Sequence, residues 1–125
     1  MDQSLNEKIC KKMSSRIPET GGILGSRDGE IKEFFYDEKG SCSGKYYIPD
    51  TECLNYQIKK WQKENIDFAG IIHSHWEREE LSAQDIRYAR QVIQAFGKEI
   101  LMGVFVYNTG KLYMYIVSEE NIVLM

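Results

Sequence analysis

The sequence predicts an α/β fold: a single domain in which a mixed β-sheet is flanked by about three helices. Three observations predict it. Three segments carry apolar residues at helical spacing, several short runs rich in β-branched and aromatic residues are separated by glycine-containing turn signals, and the two kinds of segment interleave along the chain. At 125 residues the chain is of single-domain size. A chain of this length buries roughly two thirds of its unfolded surface, enough for a core without covalent staples.

The first helix is expected from about Asn6 to Arg16, where Leu5, Ile9, Met13 and Ile17 recur every four residues as one apolar stripe and Pro18 sets a limit. Gly21–Gly22–Ile23–Leu24–Gly25 reads as a buried strand. Arg27–Asp28–Gly29 is a turn signal, and Glu30 to Tyr36 returns as a second strand. Asp37 to Ser41 reads as a loop and Lys45 to Ile48 as a third strand, closed by Pro49–Asp50. Asp50 or Thr51 caps a second helix that runs to about Glu64 with Leu54, Ile58 and Trp61 on its core face. Asp67 to Ser74 is a central strand that ends in histidines. Ser82 opens a third helix, with Ile86, Ala89, Val92, Ile93 and Phe96 at helical spacing and Gly97 as its stop. Ile100–Tyr107 and Lys111–Val117 form a hairpin over Asn108–Thr109–Gly110, and Ile122 to Met125 adds a terminal strand.

Composition narrows the function classes. Hydrophobic residues make up 42% and charged residues 28%, ordinary globular values. The net charge of -3 and the pI near 5.4 speak against a protein that binds phosphate backbones, since a nucleic-acid binder carries a basic patch or stripe. Lys8, Lys11 and Lys12 are instead the wet face of the first helix. Cys10, Cys42 and Cys53 are odd in number and lack C-x-x-C spacing, so neither a disulfide framework nor a thiolate zinc site is expected. The polar opening Met1–Asp2–Gln3–Ser4 lacks the pattern of a signal peptide, and no apolar run is long enough for a membrane span, so the expected compartment is the cytoplasm.

The chemistry centres on the only two histidines, His73 and His75. Residues two apart in an extended segment point to the same side, so both imidazoles can face one metal ion. Asp85, ten residues after His75 and in the first turn of the third helix, is a natural third ligand. Each piece also has a plain structural reading. His-x-His at a strand end describes two surface histidines equally well. Ser82-x-x-Asp85 is a helix capping box, a role compatible with ligation. Glu19, between Pro18 and the glycine-rich strand, is either an exposed residue at an element's end or a carboxylate at a cleft, and nothing local decides between them.

The order of the pieces adds information. Glu19-Thr20-Gly21-Gly22-Ile23-Leu24-Gly25, then His73-Ser74-His75, then Ser82-x-x-Asp85 resembles the JAMM (MPN-plus) metalloprotease family and is most similar to its compact stand-alone bacterial JAB-domain proteins. The family pattern is a glutamate opening an E-x-G-G-x-L-x-G strand, then H-x-H, about seven residues, and S-x-x-D. Here Trp76 to Leu81 supply six residues before Ser82, and Trp76 stands where a proline often follows the second histidine. The resemblance implies a JAMM/MPN fold, cytidine-deaminase-like in type. It also implies Zn²⁺ held by His73, His75 and Asp85, with Glu19 and Ser82 as catalytic residues. Glu19 would be the acid–base group and Ser82 the donor to an oxyanion. The implied reaction is amide hydrolysis on a protein or peptide substrate, a ubiquitin-like or sulfur-carrier tail. The alternative is a non-catalytic MPN-like scaffold that retains a metal site. A zinc deaminase needs H-x-E with P-C-x-x-C, and a helical zincin needs H-E-x-x-H; both are absent.

Around these residues, Glu77, Glu79 and Glu80 read as a solvated loop, Trp76 as either a substrate wall or loop packing, and Tyr46, Tyr47, Tyr113 and Tyr115 as sheet packing. No cysteine has a histidine near it in sequence, so a thiol nucleophile is not expected.

Overall fold

The computed structural model describes residues 1–43 and 46–125. Helix α1, Gln3–Ser14, opens on Asp2, whose carboxylate accepts the Leu5 N–H at 2.8 Å. Strands β1 (Gly21–Arg27) and β2 (Glu30–Tyr36) follow as a hairpin. Its two turn residues, Asp28 and Gly29, both have positive φ (54° and 79°), the backbone that matches a tight turn to strand twist. Two short strands, β3 (Ser41–Ser43) and β4 (Tyr46–Ile48), pair antiparallel as a separate ribbon. Helix α2, Thr51–Lys63, is capped by Asp50, whose side chain accepts the Cys53 N–H at 3.0 Å. Strand β5 is Asp67–His75 and helix α3 is Ala83–Phe96, with Gly97 closing α3 in the left-handed region at φ 72°. Strands β6 (Ile100–Val106), β7 (Lys111–Val117) and β8 (Ile122–Leu124) complete the chain.

The six long and terminal strands form one mixed sheet in the order β2-β1-β5-β6-β7-β8. Only β5 and β6 run parallel, joined by the α3 crossover; the remaining pairs are antiparallel. Alternation along each strand divides the core in two. Ile23, Ile71, Ile100 and Met102 face α2 and α3, against Leu54, Ile58, Trp61, Ala89 and Ile93. Leu24, Ile72 and Phe105 face α1, against Leu5, Ile9 and Met13. Helices thus cover both faces of the sheet in a single small α/β domain. Among the described residues no helix is long and apolar enough to cross a membrane.

Two expectations are corrected. The first helix stops at Ser14, so Ile17 falls beyond it and is 66% exposed rather than the fourth member of the apolar stripe. Pro18 disfavours the helical region for the residue before it, which shortens the last turn. Ser41, expected in a loop, begins β3; three residues are too few to show a period-2 pattern. Of the strand expected over Lys45–Ile48, Tyr46–Ile48 is a strand and Lys45 lies outside the described residues.

Candidate metal centre

Strand alternation aims the two histidines. His73 and His75 share the parity of Ile71 and so point to the face covered by α3, while Ser74 points with Ile72 to the other face. The chain then turns through 76–82 and enters α3, returning its first turn over the end of β5. The turn is tied down by the Tyr107 N–H on His75 O (2.8 Å), the Asn108 N–H on Trp76 O (3.0 Å) and the Tyr115 hydroxyl on Glu79 O (2.7 Å).

Helix α3 begins with the expected capping box. Ser82 Oγ accepts the Asp85 N–H at 3.1 Å, and Asp85 Oδ2 accepts the Ser82 N–H at 2.9 Å. That same Oδ2 lies 3.1 Å from His73 Nε2 and 3.2 Å from His75 Nε2, and the two Nε2 atoms are 3.0 Å apart. Three ligand-type atoms therefore form a nearly equilateral triangle. His75 Nδ1–H donates to the Arg78 carbonyl at 3.0 Å, which leaves the Nε2 lone pair facing the triangle, an arrangement typical of ligating histidines.

The donor set fits a divalent cation. Tetrahedral nitrogen and oxygen ligands of zinc stand about 3.3–3.4 Å apart, close to the 3.0–3.2 Å found here. His73 is 4% exposed, and a carboxylate oxygen and two imidazole nitrogens gathered in so dry a place are stabilised by a proton or a cation among them. His73, His75 and Asp85 could thus hold a metal ion.

Glu19 reaches the same point from β1. Strands β1 and β5 are antiparallel with Gly21 opposite His73. One step beyond it, the Ser74 N–H still donates to Thr20 O at 2.9 Å, and Glu19 lies in the bend just before Thr20. Glu19 Oε1 is 3.7 Å from His75 Nε2, and Glu19 Oε2 is buried without a hydrogen-bond partner among the described residues. The structure thus brings Glu19, His73, His75, Ser82 and Asp85 to one place.

The electrostatics follow from burial and proximity. Burial raises the Glu19 carboxyl above its ordinary range, against the opposing pull of His75 and His73. Burial works against ionised Asp85 too, but the adjoining His73 and His75 imidazoles and the Ser82 N–H prevail and hold it well below the usual carboxylate range. Burial opposes the cationic form of His75, yet Asp85, the Arg78 carbonyl and Glu19 raise its pKa.

A cavity of about 920 Å³ opens over these groups, lined in part by Tyr46 and Ile48 of β4 and by Trp76 and Arg87. The packing reading of Trp76 is realised, since its ring meets Tyr107 edge-on at 5.4 Å between centroids; half exposed, it also lines the cavity. The tyrosines do more than pack the sheet. Tyr47 donates to the buried Asp37 carboxylate at 2.6 Å, and Asp37 Oδ2 also accepts the Asp50 N–H at 2.9 Å, which pins the β3–β4 ribbon to the start of α2. Asp37, 2% exposed, has no sequence signature beyond its place in a polar loop. Ser74 was likewise hidden within His-x-His; only the strand parity marks it.

No family model matches the chain, and no curated protein matches it. Among solved structures it is similar to the solution structure of protein DSY2949 from Desulfitobacterium hafniense, with 18% sequence identity and a TM-score of 0.76. The match covers 98% of this chain and 86% of that one. At that identity the likeness is one of fold: a small α/β domain with a mixed sheet and three helices.

Proposed function

We propose that this chain is a zinc-dependent peptidase or isopeptidase of the JAMM (MPN-plus) type. It hydrolyses an amide bond in a protein or peptide substrate, with a ubiquitin-like or sulfur-carrier tail as the substrate class. One observation carries the reading: the His73, His75 and Asp85 donor atoms converge within 3.2 Å of one another while the carboxylate of Glu19, far away in sequence and just before β1, stands 3.7 Å from His75 Nε2. A structural capping box accounts for Asp85, but it accounts for neither the paired imidazoles nor a buried, half-unpartnered glutamate.

His73, His75 and Asp85 would hold the ion, which would supply Lewis acidity toward an amide carbonyl and an attacking water. The rest is the work of this chain. Asp85 is kept ionised and oriented by the α3 cap. Glu19, raised by burial toward the working pH, accepts a proton from attacking water at Oε1 and returns it to the leaving amine. Ser82 Oγ accepts the Asp85 N–H, so its own proton is available to an oxyanion in the cavity that it lines. Tyr46 and Ile48 of β4 and Trp76 line the cavity in which the substrate is bound.

The deciding experiment measures zinc in protein purified without chelator, beside the His73→Ala/His75→Ala variant, and then assays both on ubiquitin-like isopeptide and peptide substrates. One zinc per chain and hydrolysis, both lost in the variant, are expected. Zinc without hydrolysis would return the chain to a metal-holding scaffold, and absence of zinc after reconstitution would refute the centre itself.

A further inference from the structure

In a regular antiparallel ladder, a hydrogen-bonded pair exchanges two backbone N–H to C=O bonds. The pair just beyond the end of β1 departs from this. Ser74 N–H donates to Thr20 O at 2.9 Å in the ordinary way. The return bond, from Thr20 N–H, goes instead to the Ser74 side chain, Oγ, at 3.1 Å. Ser74 is fully buried, and apart from this bond its hydroxyl meets, among the described residues, only Thr20 O, at a long 3.5 Å. A hydroxyl placed in an apolar face for a single backbone contact costs desolvation and side-chain freedom. The contact therefore matters more for where it holds the chain than for the stability it adds.

What it holds is Glu19. The regular pairing of β1 with β5 ends at Gly21 and His73, and Pro18 has no N–H to contribute. Between them, Thr20 is the last residue tied to β5 before the glutamate. We infer that Ser74 is a positioning residue: its hydroxyl carries the β1–β5 pairing one step past the strand's end and so fixes the Glu19 carboxylate opposite His75. Strand β5 then serves both faces at once, with His73 and His75 facing the candidate ion and Ser74, between them, securing the acid–base group from behind. This inference rests on the hydrolase reading for its catalytic consequence, but its structural half stands apart from it.

The test compares Ser74→Ala and Ser74→Thr in the zinc-loaded chain, with and without Glu19→Gln, by zinc content, by kcat and KM, and by amide hydrogen exchange at Thr20 and Leu24. Ser74→Ala should keep its zinc and its KM while kcat falls about 10- to 100-fold, as expected when a catalytic group loses its alignment. Ser74→Thr, which keeps the hydroxyl, should restore most of the rate. In the Glu19→Gln background, Ser74→Ala should cost nothing further, because its effect passes through Glu19. Exchange at the Thr20 amide should quicken about tenfold, the loss of one hydrogen bond, while Leu24 in mid-strand stays protected. Additive losses in the double variant, or unchanged exchange at Thr20, would overturn the inference. If the wild-type chain hydrolyses nothing, the hydrolase reading fails separately, and the Thr20 amide still decides whether Ser74 holds this segment.

Discussion

The Ser82 N–H and the Asp85 carboxylate meet at 2.9 Å through Oδ2, the same oxygen that stands 3.1 Å from His73 Nε2. One atom thus closes the first turn of α3 and completes the donor triangle. Helix formation and site formation share a coordinate, since the cap that starts the helix also sets the direction of the carboxylate.

Asp85→Ala separates the two roles. The variant should lose stoichiometric zinc and keep its fold. It should also lose about 1 kcal/mol of stability, because the reciprocal half of the cap goes with the side chain. Metal analysis and a denaturation midpoint read both, and full zinc retention would remove Asp85 from the ligand set.

Glu19→Gln should retain zinc and lower kcat roughly a hundred- to ten-thousand-fold. The amide keeps the shape of the side chain but takes no proton at neutral pH. Turnover at the wild-type rate would exclude Glu19 as the acid–base group.

Ser82→Ala tests whether the serine is more than a cap. Loss of the Oγ acceptor should cost about 1 kcal/mol of stability, and loss of an oxyanion donor should lower kcat on the order of 10²- to 10³-fold with zinc intact. A stability loss with unchanged kcat would leave Ser82 a helix cap alone.

Asp37→Ala probes the β3–β4 wall. It strands the Tyr47 hydroxyl and the Asp50 N–H, so unfolding should become easier by about 1–3 kcal/mol. Asp37→Asn should lose less, because its amide oxygen still accepts from Tyr47. Equal midpoints for wild type and Asp37→Ala in urea would show that the network carries no stability.

Much of this was legible in the sequence, for local reasons. The caps at Asp50 and Ser82, the stop at Gly97 and the core faces Leu54–Ile58–Trp61 and Ala89–Ile93 each depend on neighbours within one or two turns. What stayed hidden depends on distant pairing. Nothing near Glu19 says that β1 will lie beside β5 in the register Gly21 opposite His73, yet that pairing brings the segment carrying Glu19 to the end of β5, 3.7 Å from His75 Nε2. The family resemblance supplied the grouping of the five residues; the sheet supplies its physical cause. Asp37 and Ser74 were invisible for the same reason, since their partners Tyr47, Asp50 and Thr20 become partners only after the strands pair. Ile17 failed differently: its spacing was right, but the helix had already ended.

The capping box has one more consequence, for how such a site would decay. A descendant that no longer needed the ion would still be under pressure to keep Ser82 and Asp85, because together they start a helix that covers the core. Glu19 has no such second employment: its Oε2 is buried without a hydrogen-bond partner among the described residues, and mutational drift would be free to discard it. Among relatives of this chain, the glutamate before the glycine-rich strand is therefore the informative position. Its replacement should precede the loss of Ser-x-x-Asp wherever the chemistry has lapsed.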